Sequence, residues 1–208
     1  MKSLNNFKKV REVTITADQL IAFESKVKET YEAGGIKGVI HLAGNNEDIL
    51  IDLFSYIDKE DWVFSAWRNH YHALLHGIPQ DTLFQSIKEG KSMGTNSVNP
   101  LFYASSIVGG IIPIALGVAK ALKIKNSTKK VWCFIGDMTM ETGVFWEAYK
   151  YAKNFDLNLQ FVIEDNNISV HTPTELAWGK KMEIPNDVIY YKYEMKYPHH
   201  GTGNWVNF

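Results

Sequence analysis

The sequence is short of cysteine, of net charge and of long apolar runs, and each shortage excludes a class of protein. Cys133 is the single cysteine in 208 residues, which excludes an intrachain disulfide and favours a reducing compartment. A formal net charge of −1 argues against nucleic-acid partners and an anionic membrane surface. The most apolar stretch, residues 107–119, is shorter than the roughly 20 residues that cross a bilayer.

The composition is that of a globular protein with a real core. Hydrophobic residues make up 45% and charged residues 22% of the chain. The first 15 residues, MKSLNNFKKVREVTI, lack the apolar stretch of a signal peptide, so we expect a cytoplasmic protein. The length suits one domain, residues 1–208, in which residues 1–33 form a helical lead-in. Cys133, inside VWCFI, is expected to be a small core residue.

Alternating helical and strand-like segments predict an α/β fold with an open, mostly parallel sheet and helices on both faces. Residues 130–136 and 159–165 are nearly continuous apolar runs, as in strands buried on both faces. The remaining pattern predicts further strands at 61–67 and 187–197, helices at 17–33, 46–57, 79–90, 108–123 and 143–155, a helical turn near 72–78, and a loop at 91–105.

Polar residues close the two central apolar runs. Asp137 follows the first run in FIGDMTMETG, and Asn166 and Asn167 follow the second in EDNNISV. In parallel α/β sheets the ligand crevice lies beyond the carboxyl ends of the strands. A carboxylate and a carboxamide there suit Mg²⁺ that carries a diphosphate. On these residues alone, turn and capping roles for Asp137 and the Asn pair remain open.

Several stretches, in their order along the chain, resemble the alpha subunit of the decarboxylating component of 2-oxo acid dehydrogenase complexes. They are GGIKGVIHLAGNNED, WRNHYHALLHG, SM followed by IVGGIIPIALGVA, GDM followed by FWEAYKYA and EDNN, and YKYEMKYPHHGTG. The match covers roughly residues 34–203. Together these motifs are more specific than any one of them. The resemblance implies a thiamine-diphosphate-binding fold.

The same resemblance implies a set of site residues. Mg²⁺ would be bound by Asp137, Asn167 and the carbonyl of Ser169. His70 and His200 would lie near the thiazolium as catalytic groups. Thiamine diphosphate would contact Trp67, Arg68, Ser106, Val108, Gly136, Met138, Thr139 and Asn167.

The resemblance further implies a reaction and a partner. The reaction is decarboxylation of a small-molecule 2-oxo acid by an oxidoreductase that passes on the acyl group. In the family, a glutamate of a beta-type subunit contacts the aminopyrimidine, and we identify no counterpart of it in this sequence. We therefore expect a homodimer or an α2β2 heterotetramer, inactive without the beta-type subunit.

Four departures from the family pattern keep two other functions open. Met138 replaces a glycine, Trp67 replaces a tyrosine, Gly94 replaces a histidine, and the segment between Asn167 and the last strand is much shorter. The chain could instead be a transketolase-like N-terminal subunit, which EDNNISV and VFWEAYKYA also resemble. It could also be a shortened, non-catalytic paralogue retained for assembly or regulation.

Three other features have their own interpretations. His72 and His76 are spaced to present two ligands to zinc, but no cysteine or glutamate nearby completes a set, and we expect partly solvated helix residues. Glu141 is expected to favour the start of the following helix. Aromatic residues surround much of that helix, which indicates a subunit interface or wide burial within the domain; they are Phe145, Trp146, Tyr149, Tyr151 and Phe155.

Overall fold

The β-branched and aromatic runs form a six-stranded sheet in the computed structural model, which describes residue 4 and residues 7–207. The strands are β1 (Trp62–Ser65), β2 (Asn96–Val98), β3 (Leu101–Ala104), β4 (Val131–Gly136), β5 (Leu159–Asp165), β6 (Ile168–Ser169), β7 (Thr172–Pro173) and β8 (Ile189–Lys192). The sheet order is β2-β3-β1-β4-β5-β8, and β6 pairs with β7 separately. Only the β2–β3 pair of the large sheet is antiparallel, so the predicted mostly parallel sheet is confirmed.

The helices lie on both faces of this sheet, as predicted. They are α1 (Ala17–Glu32), α2 (Glu47–Phe54), α3 (His70–His76), α4 (Gln80–Lys88), α5 (Ile111–Ile124), α6 (Asp137–Met140), α7 (Gly143–Asn154) and α8 (Thr174–Trp178). Apolar residues of α1 to α4 form one core cluster, and those of α5 and α7 form a second. Within the described residues, no helix is long and apolar enough to cross a membrane.

Strand β4 shows why the central runs are apolar throughout. Trp132 and Phe134 belong to the first core cluster, and Cys133 and Ile135 belong to the second. Successive side chains of a strand point to opposite faces, and here both faces are covered. Cys133 is a fully buried core residue, as predicted, and burial raises the pKa of its thiol.

The structure corrects the expected loop at 91–105. Residues 96–98 and 101–104 form the β2–β3 hairpin, and β3 pairs in parallel with β1. The sequence pattern did not indicate β3, because its buried residues Phe102 and Ala104 stand in a polar stretch rich in asparagine and serine. The last strand is shorter than the predicted 187–197, and α5 begins three residues later than expected.

The predicted lead-in, residues 1–33, is part of the main core where the structure describes it. Leu20 and Phe23 of α1 are buried with residues of α2, α3 and α4. The lead-in residues 1–3, 5 and 6 lie outside the described residues. The division into a single domain at 1–208 stays a prediction.

Candidate active site

Three parallel strands end side by side and form a narrow cleft at the carboxyl edge of the sheet. Strands β1, β4 and β5 are neighbours, and the residues that follow them meet there. The cleft has a volume of about 50 Å³. Seven of the predicted site residues line it: Trp67, Arg68, Gly136, Asp137, Met138, Thr139 and Ser169.

Five predicted residues lie elsewhere. Asn167 is exposed and does not line the cleft, although the neighbouring Asn166 does. Ser106 and Val108 are exposed in the segment before α5, and His200 is exposed near the carboxyl end of the described chain. His70 is fully buried and does not line the cleft. Their roles stay predictions.

Asp137 is held by the chain's own polar groups. Its Oδ2 accepts a hydrogen bond from the hydroxyl of Thr174 and lies 3.2 Å from Nζ of Lys181. The same ammonium lies 3.2 Å from each carboxylate oxygen of Asp165. Asp165 also accepts hydrogen bonds from the Tyr190 hydroxyl and the Asn167 backbone N–H. One ammonium therefore bridges two carboxylates at the ends of β4 and β5.

The surroundings shift the pKa values of this group in different directions. Burial raises the pKa of Asp137, against the hydrogen bond from Thr174. Burial would also raise the pKa of Asp165, but hydrogen bonds from Tyr190, the Asn167 backbone and Lys181 leave it lower than usual. For Lys181, burial is outweighed by the two carboxylates, which raise its pKa. The ammonium form is therefore stabilised where it lies.

Residues 170–182, called the strap below, close over α6. Besides the bonds of Thr174 and Lys181 to Asp137, Trp178 Nε1 donates to the sulfur of Met138. The backbone N–H of Met182 donates to the carboxylate of Glu141, 3.2 Å away. Glu141 therefore binds the strap and lies at the end of α6, whereas α7 begins two residues later after Thr142.

Two residues that line the cleft each carry a buried, unpaired hydrogen-bond donor. Nε of Arg68 and Nε1 of Trp67 are buried and have no hydrogen-bond partner among the described residues. Nη2 of Arg68 donates to the carbonyl of His199 at 3.2 Å. Because a buried unpaired donor costs free energy, such atoms favour an anionic ligand that accepts from them.

Glu164 connects the cleft to the helices below it. Its Oε1 lies 3.1 Å from Nε2 of His72 and accepts a hydrogen bond from the Tyr191 hydroxyl. His72 and His76 are both buried, so the expectation of solvated histidines is wrong. Within the described residues, no three histidine, cysteine, aspartate or glutamate side chains converge on a metal position. The spacing of the two histidines therefore reflects core contacts.

His70 belongs to a sealed polar cluster beneath the sheet edge. Its Nδ1 lies 3.2 Å from Oε1 of Glu24 and its Nε2 lies 2.9 Å from Oγ of Ser92. The Glu24 carboxylate also accepts from the backbone N–H of Ala43 at 2.8 Å. Glu24, His70 and Ser92 are each at most 1% exposed. Direct contact between His70 and a substrate would require this cluster to open.

Four histidines from three parts of the chain meet beside Arg68. The His199 ring lies 4.8 Å from that of His41, 6.2 Å from that of His171 and 5.7 Å from that of His200, between centroids. Burial lowers the pKa of His41 to about 4. His200 therefore lies at the edge of a cluster of imidazole rings.

The aromatic residues of α7 divide between two environments. Phe145 is buried against the sheet, whereas Tyr151 and Phe155 are 40% and 47% exposed. Those two rings stack on each other, with Lys120 over the ring of Phe155. Burial within the chain therefore explains part of the aromatic excess.

The residues around the cleft fit the diphosphate of thiamine diphosphate, but in this conformation they do not fit Mg²⁺. The unpaired donors of Trp67 and Arg68 fit a diphosphate. The metal position at Asp137 does not fit in this conformation, because Lys181 and Thr174 already bind the carboxylate. The cleft, at about 50 Å³, is also far smaller than the roughly 300–1,000 Å³ of typical small-molecule sites, so thiamine diphosphate requires it to widen.

Sequence reasoning missed the partners of Asp137. Asp165 could have been found, since it ends β5 immediately before the Asn pair. Lys181 and Thr174 lie in a polar segment without a regular period, where no local signal indicates a contact with residue 137.

The fold and the cleft define a class of protein: an α/β chain whose polar cleft lies at the carboxyl ends of parallel strands. The sequence model of the family described as "Dehydrogenase E1 component" matches residues 16–184. The chain belongs to this family, which confirms the resemblance seen in the motifs.

Characterised relatives support the same assignment. The chain is 31% identical over 183 residues to a pyruvate dehydrogenase E1 component subunit alpha of Rickettsia bellii, covering 81% of this chain and 56% of the relative. It is 28% identical over 184 residues to the corresponding subunit of Porphyra purpurea, covering 79% and 54%. It is also 28% identical over 169 residues to the alpha subunit of the acetoin:2,6-dichlorophenolindophenol oxidoreductase of Bacillus subtilis, covering 76% and 51%. The chain thus spans about half the length of these relatives.

Proposed function

We propose that the chain is an alpha-type subunit that binds Mg²⁺ and thiamine diphosphate and, with a beta-type subunit, decarboxylates a 2-oxo acid. The observation that carries this proposal is the cleft itself. It brings the Asp137 carboxylate and the unpaired donors of Trp67 and Arg68 to one edge of the sheet. The family membership supports the same reaction class.

In this proposal the chain's residues bind and orient, and thiamine diphosphate, when bound, supplies the electron sink for loss of CO₂. Arg68 donates charge-assisted hydrogen bonds to the diphosphate, and Trp67 adds its indole N–H. Gly136, Met138 and Thr139 lie along the cleft beside it. Ser106 and Val108 support the aminopyrimidine from the exposed segment before α5.

The metal ligands of the proposal are Asp137, the Asn167 side chain and the Ser169 carbonyl. Hard carboxylate, carboxamide and carbonyl oxygens suit Mg²⁺. Asp137 and Ser169 already line one cleft, while Asn167 must turn inward. His200, beside His199 and Arg68, is proposed to bind the substrate carboxylate or move a proton, and His70 retains its proposed role only if its cluster opens.

The beta-type subunit completes the site. The proposed contribution of that subunit is the glutamate that contacts the aminopyrimidine. Exposed apolar residues in the segment before α5, Ile107 and Val108 at 70% and 53%, offer surface for a second chain. An α2β2 assembly or a homodimer is proposed on this ground, in a cytoplasmic setting.

One observation favours a second candidate function, the non-catalytic paralogue. The strap places Thr174 and Lys181 against the Asp137 carboxylate. A chain retained for assembly would have no need of a free metal position there. The binding experiment separates the two functions.

The test is calorimetric titration of the purified chain with thiamine diphosphate and Mg²⁺, alone and with a co-expressed beta-type subunit. We expect binding that needs the metal and that Arg68→Met weakens about tenfold or more, since a charge-assisted contact is worth roughly 1.5–3 kcal/mol. The control Lys150→Met, on the exposed face of α7, should bind as the parent does. Absence of binding in every combination would favour the non-catalytic paralogue, and turnover of sugar phosphates in place of 2-oxo acids would favour the transketolase-like subunit.

A further inference from the structure

The cation that faces Asp137 in this structure belongs to the protein. Nζ of Lys181 lies 3.2 Å from Oδ2 of Asp137 and from both oxygens of Asp165. The two carboxylates are nearly fully buried, with side-chain exposures of 5% and 1%. A buried carboxylate pair requires a counter-charge, and Lys181 supplies one.

A divalent cation cannot share Asp137 with this ammonium group. Mg²⁺ binds carboxylate oxygen at about 2.1 Å. Lys181 Nζ, 3.2 Å from the same Oδ2, would then lie within a few ångströms of the ion. Two cations at that separation in a partly buried site repel each other strongly. Thr174 occupies the same oxygen as a donor, so two contacts must break for the metal to bind.

Both contacts come from the strap. It is also attached to α6 through the Trp178 indole and the Met182 backbone. Its first residues pair with β6, and the ring of His171 lies 6.2 Å from that of His199. Leu176 and Trp178 are 78% and 52% exposed, so little apolar area fixes α8 in place. Segments with few buried apolar contacts open at low free-energy cost.

We propose that Lys181 is an internal counter-ion that occupies the place of the divalent cation at Asp137, and that the strap must leave Asp137 before the cation binds. This inference rests on the proposed function, because that function includes Mg²⁺ at Asp137. Exchange of one ammonium for one divalent ion also balances the site better: Lys181 leaves the carboxylate pair with a charge of −1, and Mg²⁺ would neutralise it.

The test counts bound Mn²⁺, used as a probe for Mg²⁺, from the electron paramagnetic resonance signal of the free ion, so it needs no activity. The full chain and Lys181→Met are compared, with Lys180→Met as the matched control, because Lys180 is the exposed neighbour. We expect Lys181→Met to bind Mn²⁺ about tenfold tighter or more, and Lys180→Met to bind as the parent does. Lys181→Arg, which keeps the charge, should also bind as the parent does.

A double variant shows whether the tighter Mn²⁺ binding involves Asp137. Adding Asp137→Asn to Lys181→Met should return the Mn²⁺ affinity to that of the parent or below. A double variant that still binds Mn²⁺ more tightly than the parent would overturn the proposal. A nitroxide attached at Leu176→Cys gives an independent view of the strap, since Cys133 is buried and unreactive. Without metal, the label should be more mobile in Lys181→Met than in the parent background.

The outcomes separate this inference from the proposed function. Equal Mn²⁺ affinity in the parent and in Lys181→Met, with unchanged circular dichroism, would overturn the inference even where thiamine diphosphate binds and the proposed function stands. Tighter Mn²⁺ binding in Lys181→Met without any binding of thiamine diphosphate would support the inference and count against the proposed function.

Discussion

Two clusters in this molecule pair a carboxylate with a base from a distant segment, and they differ in what surrounds them. In the sealed cluster, Glu24 faces His70, and every member is at most 1% exposed. In the strap cluster, Asp137 and Asp165 face Lys181, whose side chain is 20% exposed. The first joins α1, α3 and Ser92 in the interior, while the second is bound by the strap and by the Tyr190 hydroxyl.

Similar ion pairs and hydrogen bonds can therefore be costly to break in one cluster and easy to break in the other. If the sealed cluster loses a partner, water cannot reach the group left behind, so the loss is expensive. If the strap cluster loses Lys181, the strap can move aside and let water hydrate both carboxylates. Three measurements test how strongly burial determines the cost of disturbing such groups.

The largest effect is expected from Glu24→Ala. The substitution leaves the backbone N–H of Ala43 and the ring of His70 without their buried acceptor. We expect the free energy of unfolding to fall by about 3–5 kcal/mol, measured by urea denaturation. Glu29→Ala, at an exposed position of the same helix, should change it by less than about 0.5 kcal/mol. A loss of under 1 kcal/mol for Glu24→Ala would show that the cluster is not sealed.

An intermediate effect on stability is expected from acid at His76, a buried histidine of α3 outside both clusters. Burial lowers the pKa of His76 to about 4, whereas an unfolded histidine titrates near 6.5. Below pH 6.5 the unfolded state binds the proton and the folded state does not, so stability falls as the pH drops towards 4. Between pH 7 and pH 5 this one group should cost about 2 kcal/mol.

The check on that prediction is a difference between variants. Denaturation at pH 7 and pH 5 should show a smaller pH-dependent loss in His76→Gln than in the parent, by about 2 kcal/mol. His171→Gln, at an exposed position, should leave the pH dependence as it is in the parent. Equal pH dependence in the parent and His76→Gln would mean that His76 is solvated in the folded state.

The smallest effect on global stability is expected from Lys181→Met. Because the strap can open to solvent, we expect a loss of about 1 kcal/mol or less, together with faster amide exchange confined to residues 170–182. Lys153→Met, which removes an exposed ion pair to Asp187, provides the comparison: a similarly small loss with unchanged exchange in the strap. A loss as large as that of Glu24→Ala would remove the distinction between the clusters.

The parts of the fold that sequence reasoning predicted are those with strong local patterns. Strand β5 was predicted with its observed bounds, because its apolar run is continuous and Asp165 ends it. The hairpin at 96–104 was missed because one of its strands is an exposed polar edge, Asn96–Val98, whose pairing depends on β3 rather than on its own composition.

The candidate site divides in the same way. Asp137 and Arg68 follow strands, so their convergence could be inferred from the rule for parallel sheets. The contact between Lys181 and Asp137 joins residues 44 positions apart through an irregular segment. The sealing of His70 depends on Glu24 of α1 and on Ser92 in the turn after α4. Such contacts are determined by tertiary packing, and no local sequence pattern predicts them.

Strands β5 and β8 are parallel neighbours, and the chain between them is residues 166–188, which include the strap. The length of this connection therefore determines whether Lys181 can reach Asp137 while β8 remains paired with β5. Lengthening a flexible connection costs little, since each doubling adds only about 0.6 kcal/mol of closure entropy. A few residues inserted after the strap would thus change how easily the strap leaves Asp137, without altering any residue that lines the cleft. Both natural evolution and protein engineering could make such an insertion.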